Sequence, residues 1–237
     1  MSGHSKWASI KHQKGAADAK RANVFTKLAN TITVAARNGA DPTMNFQLRL
    51  AIDKAKASNM PKDNIERAIT RASGTGAAAV EELLYEIYGP HGTAILIDVA
   101  TDNRNRAIAD VKAILNKHGG KLANQGAVQY LFERQGEIVV EAASGTADDE
   151  IEMQLIDAGA IDYSKEESDY IVATDASALE AVKKALEATG FKVIDAKLHW
   201  VPKQTVALSE EDSEKVIKLL TLLDDLDDVV AVASNIA

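Results

Sequence analysis

The chain has 237 residues, contains no cysteine and carries a formal net charge of -8. Without cysteine it can form no disulfide, no cysteine-ligated zinc site and no thiolate nucleophile. The opening residues lack the apolar stretch of a signal peptide, and the sequence has no run of about 18 apolar residues that could cross a membrane. We therefore expect a cytoplasmic protein without a membrane partner.

The charge is distributed unevenly along the chain. Residues 1–75 contain 13 lysines and arginines against 5 acidic residues, which gives a net charge of +8. Residues 76–237 contain 14 against 30, which gives -16. Opposite charges of this kind are typical of a basic binding module attached to an acidic body, although lysine-rich helices can also serve solubility alone.

The basic part predicts an arm and three helices. Residues 1–14 lack an apolar period and are interpreted as an extended arm. Apolar residues then recur at helical spacing in three segments, bounded by Gly39, by Asp41-Pro42 and by Asn59 to Pro61. Their stripes are Val24, Leu28, Ile32 and Ala35; Met44, Leu48, Ala51, Ile52 and Ala55; and Ile65, Ala68, Ile69 and Ala72. Three short helices predict a small bundle, and residues 73–79 predict a linker.

Strands and helices alternate in the acidic part. The predicted strands are 94–100, 127–132, 137–142, 160–163, 169–174, 192–201, 203–208 and 229–232, and the predicted helices are 105–118, 148–158, 177–188 and one opened by Ser209. The inner elements have the order βαββαβ, and the flanking elements, when joined, repeat it.

The prediction is thus an α+β fold in which an N-terminal three-helix bundle is followed by two ferredoxin-like α/β domains, one inserted in the other. The expected domains are residues 1–78, residues 79–134 with 203–237, and residues 135–202.

The sequence contains none of the common enzyme motifs. It has no phosphate loop, no dinucleotide fingerprint, no H-E-x-x-H and no G-x-S-x-G. The five histidines, which are far apart in sequence, are His4, His12, His91, His118 and His199. Acidic residues 148–150 suit a helix N-terminus, and those at 224–228 suit a solvated turn better than a magnesium site. We expect no enzyme activity, catalytic residue, metal or cofactor.

Two polar or aromatic segments have two possible interpretations. Residues 101–106 follow an apolar strand and open a helix, so Asp102 or Asn103 can cap that helix, while the neighbouring arginines can contact phosphate. Tyr85 and Tyr88 can stack on nucleic-acid bases, or they can pack against a neighbouring domain.

Basic residues in the first 75 positions are paired on helix faces. Lys20 and Lys27 are seven apart, as are Arg49 and Lys56, and Arg67 and Arg71 are four apart. This pattern suits contact with a nucleic-acid backbone. The predicted contacts are Lys6, Trp7, Lys11, Lys14, Lys20, Arg21, Lys27, Arg37, Arg49, Lys54 and Lys56, with Arg104 and Arg106 as further candidates.

Several segments resemble a known family: GHSKWASIKHQKGAADAKRANVFTKL, AARNGADP, NFQLRLAIDKAKASNMPKDNIERAI and YGPHGTAILIDVATDNRNR. The chain is similar to the YebC family of bacterial regulators, whose mitochondrial relatives are translational activators of cytochrome oxidase synthesis. The resemblance implies three domains, as predicted above. The sequence departs from the family at Ile87 and His91, where relatives usually have glycine, and at Thr31, where an acidic residue is common.

The resemblance implies a non-enzymatic, nucleic-acid-binding regulator of gene expression. Members of the family are described as probable DNA-binding transcriptional regulators, for which the partner is promoter DNA. Others act on ribosomes to relieve stalling, for which the partner is ribosomal RNA. The acidic body is expected to repel a long duplex, which favours a structured partner. A third possibility is a protein-interaction or small-ligand module, because the fold alone does not select a function.

Overall fold

A computed structural model describes Trp7 and residues 21–73, 79–142, 147–166 and 169–237. The chain divides into two compact units, of which one is residues 134–200 and the other combines the chain before and after them. Within the described part there are seven α-helices and two four-stranded antiparallel sheets. The prediction of an α+β fold with a helical bundle and two ferredoxin-like parts is confirmed, with corrections to individual strands.

The elements follow one another in this order: α1 (Arg21–Ala36), α2 (Phe46–Ala57), α3 (Lys62–Ser73), β1 (Glu81–Tyr88), β2 (Ala94–Thr101), α4 (Arg104–His118), β3 (Lys121–Leu122), β4 (Phe132–Glu141), α5 (Asp148–Asp157), β5 (Asp162–Glu166), β6 (Asp169–Asp175), α6 (Leu179–Ala188), β7 (Lys192–Pro202), α7 (Glu210–Asp224) and β8 (Val229–Ser234). Short 3₁₀ turns lie at Pro90–Gly92 and Gln129–Leu131.

Helices α1, α2 and α3 pack around a small apolar core, as their sequence stripes predict, except that Met44 precedes α2 and is exposed. Asn45 caps α2, because its side-chain oxygen accepts a hydrogen bond from Leu48 N at 3.0 Å. Its amide nitrogen also donates to Ala35 O at 2.7 Å, so this one residue joins the end of α1 to the start of α2. The buried core residues are Leu28, Ile32, Ala35, Ala36, Leu48, Ala51, Ile52, Ala55, Met60, Ile65 and Ala68.

The outer sheet has the strand order β3-β1-β2-β8. Strand β2 pairs antiparallel with β1 on one side and with β8 on the other, and α4 and α7 supply apolar residues to the core on one face. Strand β1 was not predicted, because Glu81, Glu82 and Glu86 interrupt its apolar pattern. It occupies the position between β2 and β3 that the third strand of a βαββαβ unit normally takes. The strands of the outer sheet are therefore arranged in space as in a ferredoxin-like sheet, but the strand at the third position comes first in the chain.

The predicted strand 127–132 is wrong, and Glu86 explains why. The Glu86 carboxylate is buried on β1 and accepts hydrogen bonds from the backbone N–H groups of Gly126, Val128 (2.7 Å) and Gln129 (2.8 Å). These donors cannot also take part in a strand ladder, so the segment forms a loop and a 3₁₀ turn around the carboxylate. The strand that follows α4 in the structure is instead the short β3.

The predicted strand 203–208 is also wrong. Within the described residues, this segment forms only an isolated bridge between Val206 and Ile236. Lys203 N donates to Leu131 O at 2.9 Å, so the chain returns from the inserted residues to the point at which it left. Because the two ends of the insertion lie this close together, the host domain can accommodate the inserted residues at a single turn.

The unit formed by residues 134–200 has the order βαββαβ, with strands arranged β5-β6-β4-β7. This is the ferredoxin-like arrangement that the sequence predicts. Strand β6 lies between β4 and β5 and pairs antiparallel with both. The largest fully buried side chains in this unit include Ile138, Leu155, Leu179 and Leu186. The predicted domain boundaries, at residues 78, 134 and 202, stay predictions.

Candidate nucleic-acid interface

One face of helix α1 holds the helical bundle against the outer domain through polar side chains. Asn23, Lys27 and Asn30 are spaced by four and three residues, so they lie on the same face. They donate hydrogen bonds to the backbone oxygens of Asp225 (2.7 Å), Asp224 and Ala100 (3.1 Å), respectively. Two of these acceptors lie at the C-terminal end of α7, where backbone oxygens have no partner within the helix. A lysine there is also favoured by the helix dipole.

Three predicted contact residues are therefore engaged inside the protein. Lys27 binds the end of α7, and an Arg37 guanidinium nitrogen donates to Val80 O at 2.9 Å. Arg49 donates to Pro42 O, and its guanidinium lies 5.4 Å from the centre of the Phe46 ring. These interactions place the three cations in structural roles, which sequence spacing alone does not reveal.

Trp7 requires a correction. Its side chain is 4% exposed, and the indole N–H donates to Val232 O at 3.1 Å. It belongs to the apolar core of the outer domain rather than to a surface. A buried indole with a satisfied N–H is not available to stack on a base, so the structure does not support Trp7 as a nucleic-acid contact.

Exposed cations remain on the outer faces of α2 and α3. Lys54 and Lys56 are exposed on α2, one on each side of the stripe formed by the buried Leu48, Ala51, Ile52 and Ala55. Lys62 and Arg67 are exposed on α3, where Lys62 lies 3.3 Å from Glu66. Of these four cations, the two on α3 were not among the predicted contacts, although the four-residue spacing of Arg67 and Arg71 pointed to that face. All four side chains are exposed, and Arg67 also donates hydrogen bonds to Asp63 O at 3.1 Å and to Asn64 Oδ1.

The polar segment at residues 101–106 performs the capping role that was one of its two interpretations. Asn103 is the N-cap of α4, with its side-chain oxygen accepting from Arg106 N at 3.1 Å. The Arg106 guanidinium donates to both carboxylate oxygens of Asp228, at 2.9 and 3.0 Å, and to Asp102 at 3.1 Å. The hydrogen bonds to Asp228 raise the pKa of Arg106 above its ordinary value.

Asp102 connects this network to the helical bundle. Its second carboxylate oxygen accepts from Arg71 of α3 at 3.1 Å, while its first accepts from Arg106 of α4. One carboxylate thus holds two arginines from two parts of the chain. Arg106 is committed to acidic partners, and Arg104 lies beside the buried Tyr85 hydroxyl, whose pKa is raised by burial and lowered in part by Arg104.

A cleft of about 530 Å³ opens at this junction. Two guanidiniums line it, those of Arg71 and Arg106. Five carboxylates also line it, those of Asp102, Asp110, Asp225, Asp227 and Asp228. The excess of negative charge repels phosphate, so this cleft does not suit the nucleic-acid backbone. The predicted phosphate role of Arg106 therefore finds no support in its surroundings.

No described group of three or more histidine, aspartate or glutamate side chains is arranged to hold a metal. In the acidic run at 224–228, the backbone oxygens of Asp224 and Asp225 accept hydrogen bonds from side chains of α1. The Asp228 carboxylate forms an ion pair with Arg106. Acidic residues 148–150 occupy the first turn of α5, where the helix dipole favours them. No helix among the described residues is long and apolar enough to span a membrane.

Some predicted contacts lie outside the described residues, namely Lys6, Lys11, Lys14 and Lys20, and the Arg21 side chain is likewise not described. Among the described ones, Lys54 and Lys56 are both exposed on α2, but their two-residue spacing places them on different sides of the helix. The structure does not bring Arg104 or Arg106 to the surface of α2, because both belong to the junction beside α4. The predicted interface stays a prediction, reduced to the exposed helical cations.

Two family models match adjoining parts of the chain. The model described as the TACO1/YebC protein N-terminal domain matches residues 5–75, and the one described as the TACO1/YebC second and third domain matches residues 80–236. The chain belongs to the TACO1/YebC family. The basic part of the sequence thus coincides with the N-terminal domain of the family, and the acidic part with the other two domains.

Relatives in the TACO1/YebC family match over nearly their whole length. A probable transcriptional regulatory protein of Thermoanaerobacter pseudethanolicus is 46% identical, over 100% of this chain and 97% of its own. A protein of the same description from Dehalococcoides mccartyi is 50% identical, over 99% and 94%. The crystal structure of a conserved hypothetical protein from Aquifex aeolicus is similar with a TM-score of 0.89 and 43% identity, covering 98% of this chain and 97% of that one.

Proposed function

We propose that this protein is a regulator of gene expression that binds nucleic acid through its basic N-terminal part. The observation that carries the proposal is the set of exposed cations on α2 and α3, within a segment of charge +8 joined to a body of charge -16. Such a segment gains affinity by releasing counterions from phosphates. Relatives described as probable transcriptional regulatory proteins support the same class.

Duplex DNA is the first candidate target, since the description of the relatives concerns transcription. Structured RNA, such as that of the ribosome, is the second candidate. The observation in its favour is the acidic body, because a charge of -16 next to the binding segment opposes a long uniform duplex. A folded RNA can present phosphates to the basic helices and turn away from the acidic domains.

The proposal is tested by binding at several salt concentrations with the full chain. Affinity for duplex DNA and for a structured RNA is measured by filter binding or fluorescence anisotropy. The logarithm of affinity should fall with the logarithm of salt by about 0.9 per neutralised phosphate for duplex DNA and about 0.7 for single strands. Changing Lys54 and Lys56 together to Gln removes two exposed cations and should reduce that slope by between about one and two.

The matched control changes Lys203 and Lys218 to Gln, because both are exposed and lie outside the basic helices. The control removes the same net charge and should leave the slope within about 0.5 of the wild type. Absence of binding by the wild type at low salt would contradict the proposal. Equal effects of the two double variants would contradict the assignment of the interface to α2.

A further inference from the structure

The outer domain carries a tyrosine, Tyr88, whose side chain is exposed and does not belong to the apolar core. Tyr85 and Tyr88 lie on the same strand, β1, but their surroundings differ. Tyr85 is 7% exposed and belongs to the core between the sheet and its helices, whereas Tyr88 is 49% exposed. Three residues of separation along a strand place the two rings on opposite faces of the sheet. The packing explanation therefore applies to Tyr85 and not to Tyr88.

The neighbours of Tyr88 in the sheet leave its ring accessible and place a cation beside it. Lys121 on β3 is directly opposite Tyr88, and Ala94 on β2 is opposite on the other side. Directly opposed residues of antiparallel strands project to the same face with their β-carbons about 5 Å apart. Ala94 contributes only a methyl group next to the ring, and Lys121, which is exposed, contributes an ammonium group.

The turns around Tyr88 are built largely from glycine. The 88–92 turn lies next to the end of α4, since a β-carbon on Gly119 would lie 3.9 Å from Pro90 Cβ, and one on Gly120 would lie 3.6 Å from Tyr88 O. A β-carbon on Gly92 would meet nothing within 4 Å. The turn that follows Tyr88 and the end of α4 therefore approach each other through glycine backbone.

The sequence around this site is free of acidic residues, although the body is acidic. Residues 87–97 and 111–132 contain no aspartate or glutamate, whereas roughly one residue in five of residues 76–237 is acidic. The pairing of β1 with β3 brings these two stretches together. Asp212 of α7 reaches the turn at His91 (3.4 Å), but Lys215 also lies 3.4 Å from it and offsets its charge.

Glu86 is the acidic residue nearest to Tyr88 on this face of β1, two residues before it, and Glu82 and Asp98 lie further along the same face. The Glu86 carboxylate is 3% exposed and accepts backbone N–H groups from the 126–129 loop. Those hydrogen bonds hold the charge inside the protein, where it contacts donors rather than solvent. The surface presented to a ligand at Tyr88 is consequently an aromatic ring with Lys121 beside it, in a body whose net charge is otherwise negative.

We propose that Tyr88, with Lys121, forms a second nucleic-acid contact, at which an unpaired base stacks on the tyrosine ring and a flanking phosphate contacts the lysine. An exposed ring beside cations is the arrangement that single-stranded nucleic acid recognises without regard to sequence. A base within a duplex is already stacked on both faces and is not available to the ring. The contact deepens the proposed function, on which it rests, and selects looped or single-stranded segments as its ligand.

The test compares an unpaired and a paired probe with the full chain. The probes are an oligoadenylate of about ten nucleotides and a duplex DNA of equal length. Tyr88→Leu keeps an apolar strand residue without a flat ring and should weaken binding to the single strand by about tenfold, since a base–aromatic stack is lost. Tyr88→Phe keeps the ring and should bind within about twofold of the wild type. Duplex affinity should be the same for all three proteins.

Charge variants separate stacking from a general loss of positive charge. Lys121→Gln should reduce the salt slope for the single strand by about 0.7, and Lys218→Gln, an exposed lysine on α7, should leave it unchanged. Circular dichroism checks that each variant is folded. If Tyr88→Leu does not fold, the comparison of Tyr88→Phe with the wild type still tests whether the ring alone is sufficient for binding. If Tyr88→Leu and the wild type bind the single strand equally, or if Tyr88→Leu weakens both probes equally, the stacking site is wrong while the proposed function stands. If the wild type binds neither probe, the proposed function itself fails.

Discussion

Replacing the buried Glu86 with Gln should strongly destabilise the outer domain. The Glu86 carboxylate accepts three backbone N–H groups, from Gly126, Val128 and Gln129. Gln has nearly the same shape but only one oxygen, so its NH₂ group must face one of these donors. That donor is left unsatisfied, at a cost of about 1–3 kcal/mol, and the remaining hydrogen bonds lose their charge, at about 1 kcal/mol each. We expect the free energy of unfolding to fall by about 3 kcal/mol.

The assay is urea unfolding at neutral pH, followed by circular dichroism, with Glu82→Gln as the control. Glu82 is exposed on the same strand, so its substitution makes the same charge change at the surface and should alter stability by less than about 0.5 kcal/mol. A loss of that size or smaller for Glu86→Gln would refute the role assigned to the carboxylate.

The pH dependence gives an independent check. Burial alone would raise the pKa of Glu86, but the backbone N–H groups around the carboxylate, led by that of Val128, lower the pKa below its ordinary value of 4.5. A lowered pKa in the folded state contributes stability that is present above the unfolded value and is lost as the pH falls through the folded value. The stability difference between wild type and Glu86→Gln should be constant above about pH 5.5 and should shrink below pH 4.5. A difference that does not change with pH contradicts the ionised state.

Three further predictions concern stability. Arg106→Gln should lower the free energy of unfolding by about 1–2 kcal/mol, because buried Asp228 loses the guanidinium that donates to both of its carboxylate oxygens. A double-mutant cycle with Asp228→Asn should show coupling between the two residues, and additive effects would contradict the pairing. His91→Gly should raise the free energy of unfolding by about 0.5–1 kcal/mol, since His91 has φ 58°, whereas Asn59→Gly at the same φ should change it less because asparagine tolerates that conformation; urea midpoints decide. Replacing residues 134–200 with a short Gly/Ser turn should leave a folded remainder, and loss of its circular dichroism signal and cooperative melting would contradict the insertion.

Sequence patterns predicted the elements whose apolar residues follow one period without interruption. The bundle helices, α7 and the whole βαββαβ unit are of this kind, because burial of one face dictates their spacing. Strand β1 escaped prediction, since Glu86 is buried on the face of β1 opposite to the Tyr85 core, and its partners are backbone groups about 40 residues further along the chain. The same partners removed the predicted strand at 127–132, so one buried carboxylate accounts for both errors.

The candidate interface was harder to predict than the fold, because a cation looks the same in sequence whether it is exposed or engaged. Lys27 and Lys56 both lie at helical spacing from another basic residue, yet one binds the end of α7 and the other faces solvent. The partners of Lys27 and Arg106 are 197 and 122 residues away in the chain. Only the three-dimensional arrangement identifies such pairs. The departure at His91 was informative, since its position has the positive φ that glycine adopts readily.

The permuted strand order of the outer sheet sets the sequence of events during synthesis of the chain. Strand β2 needs β8 as its neighbour, and the core beneath it includes Val229, Val232 and Ile236. A nascent chain therefore carries β2 with one edge unpaired until these residues leave the ribosome, long after residues 134–200 have become able to fold by themselves. Such an exposed edge invites pairing with other chains. Chaperone dependence and aggregation of stalled or truncated chains should accordingly be governed by the outer domain and not by the insertion.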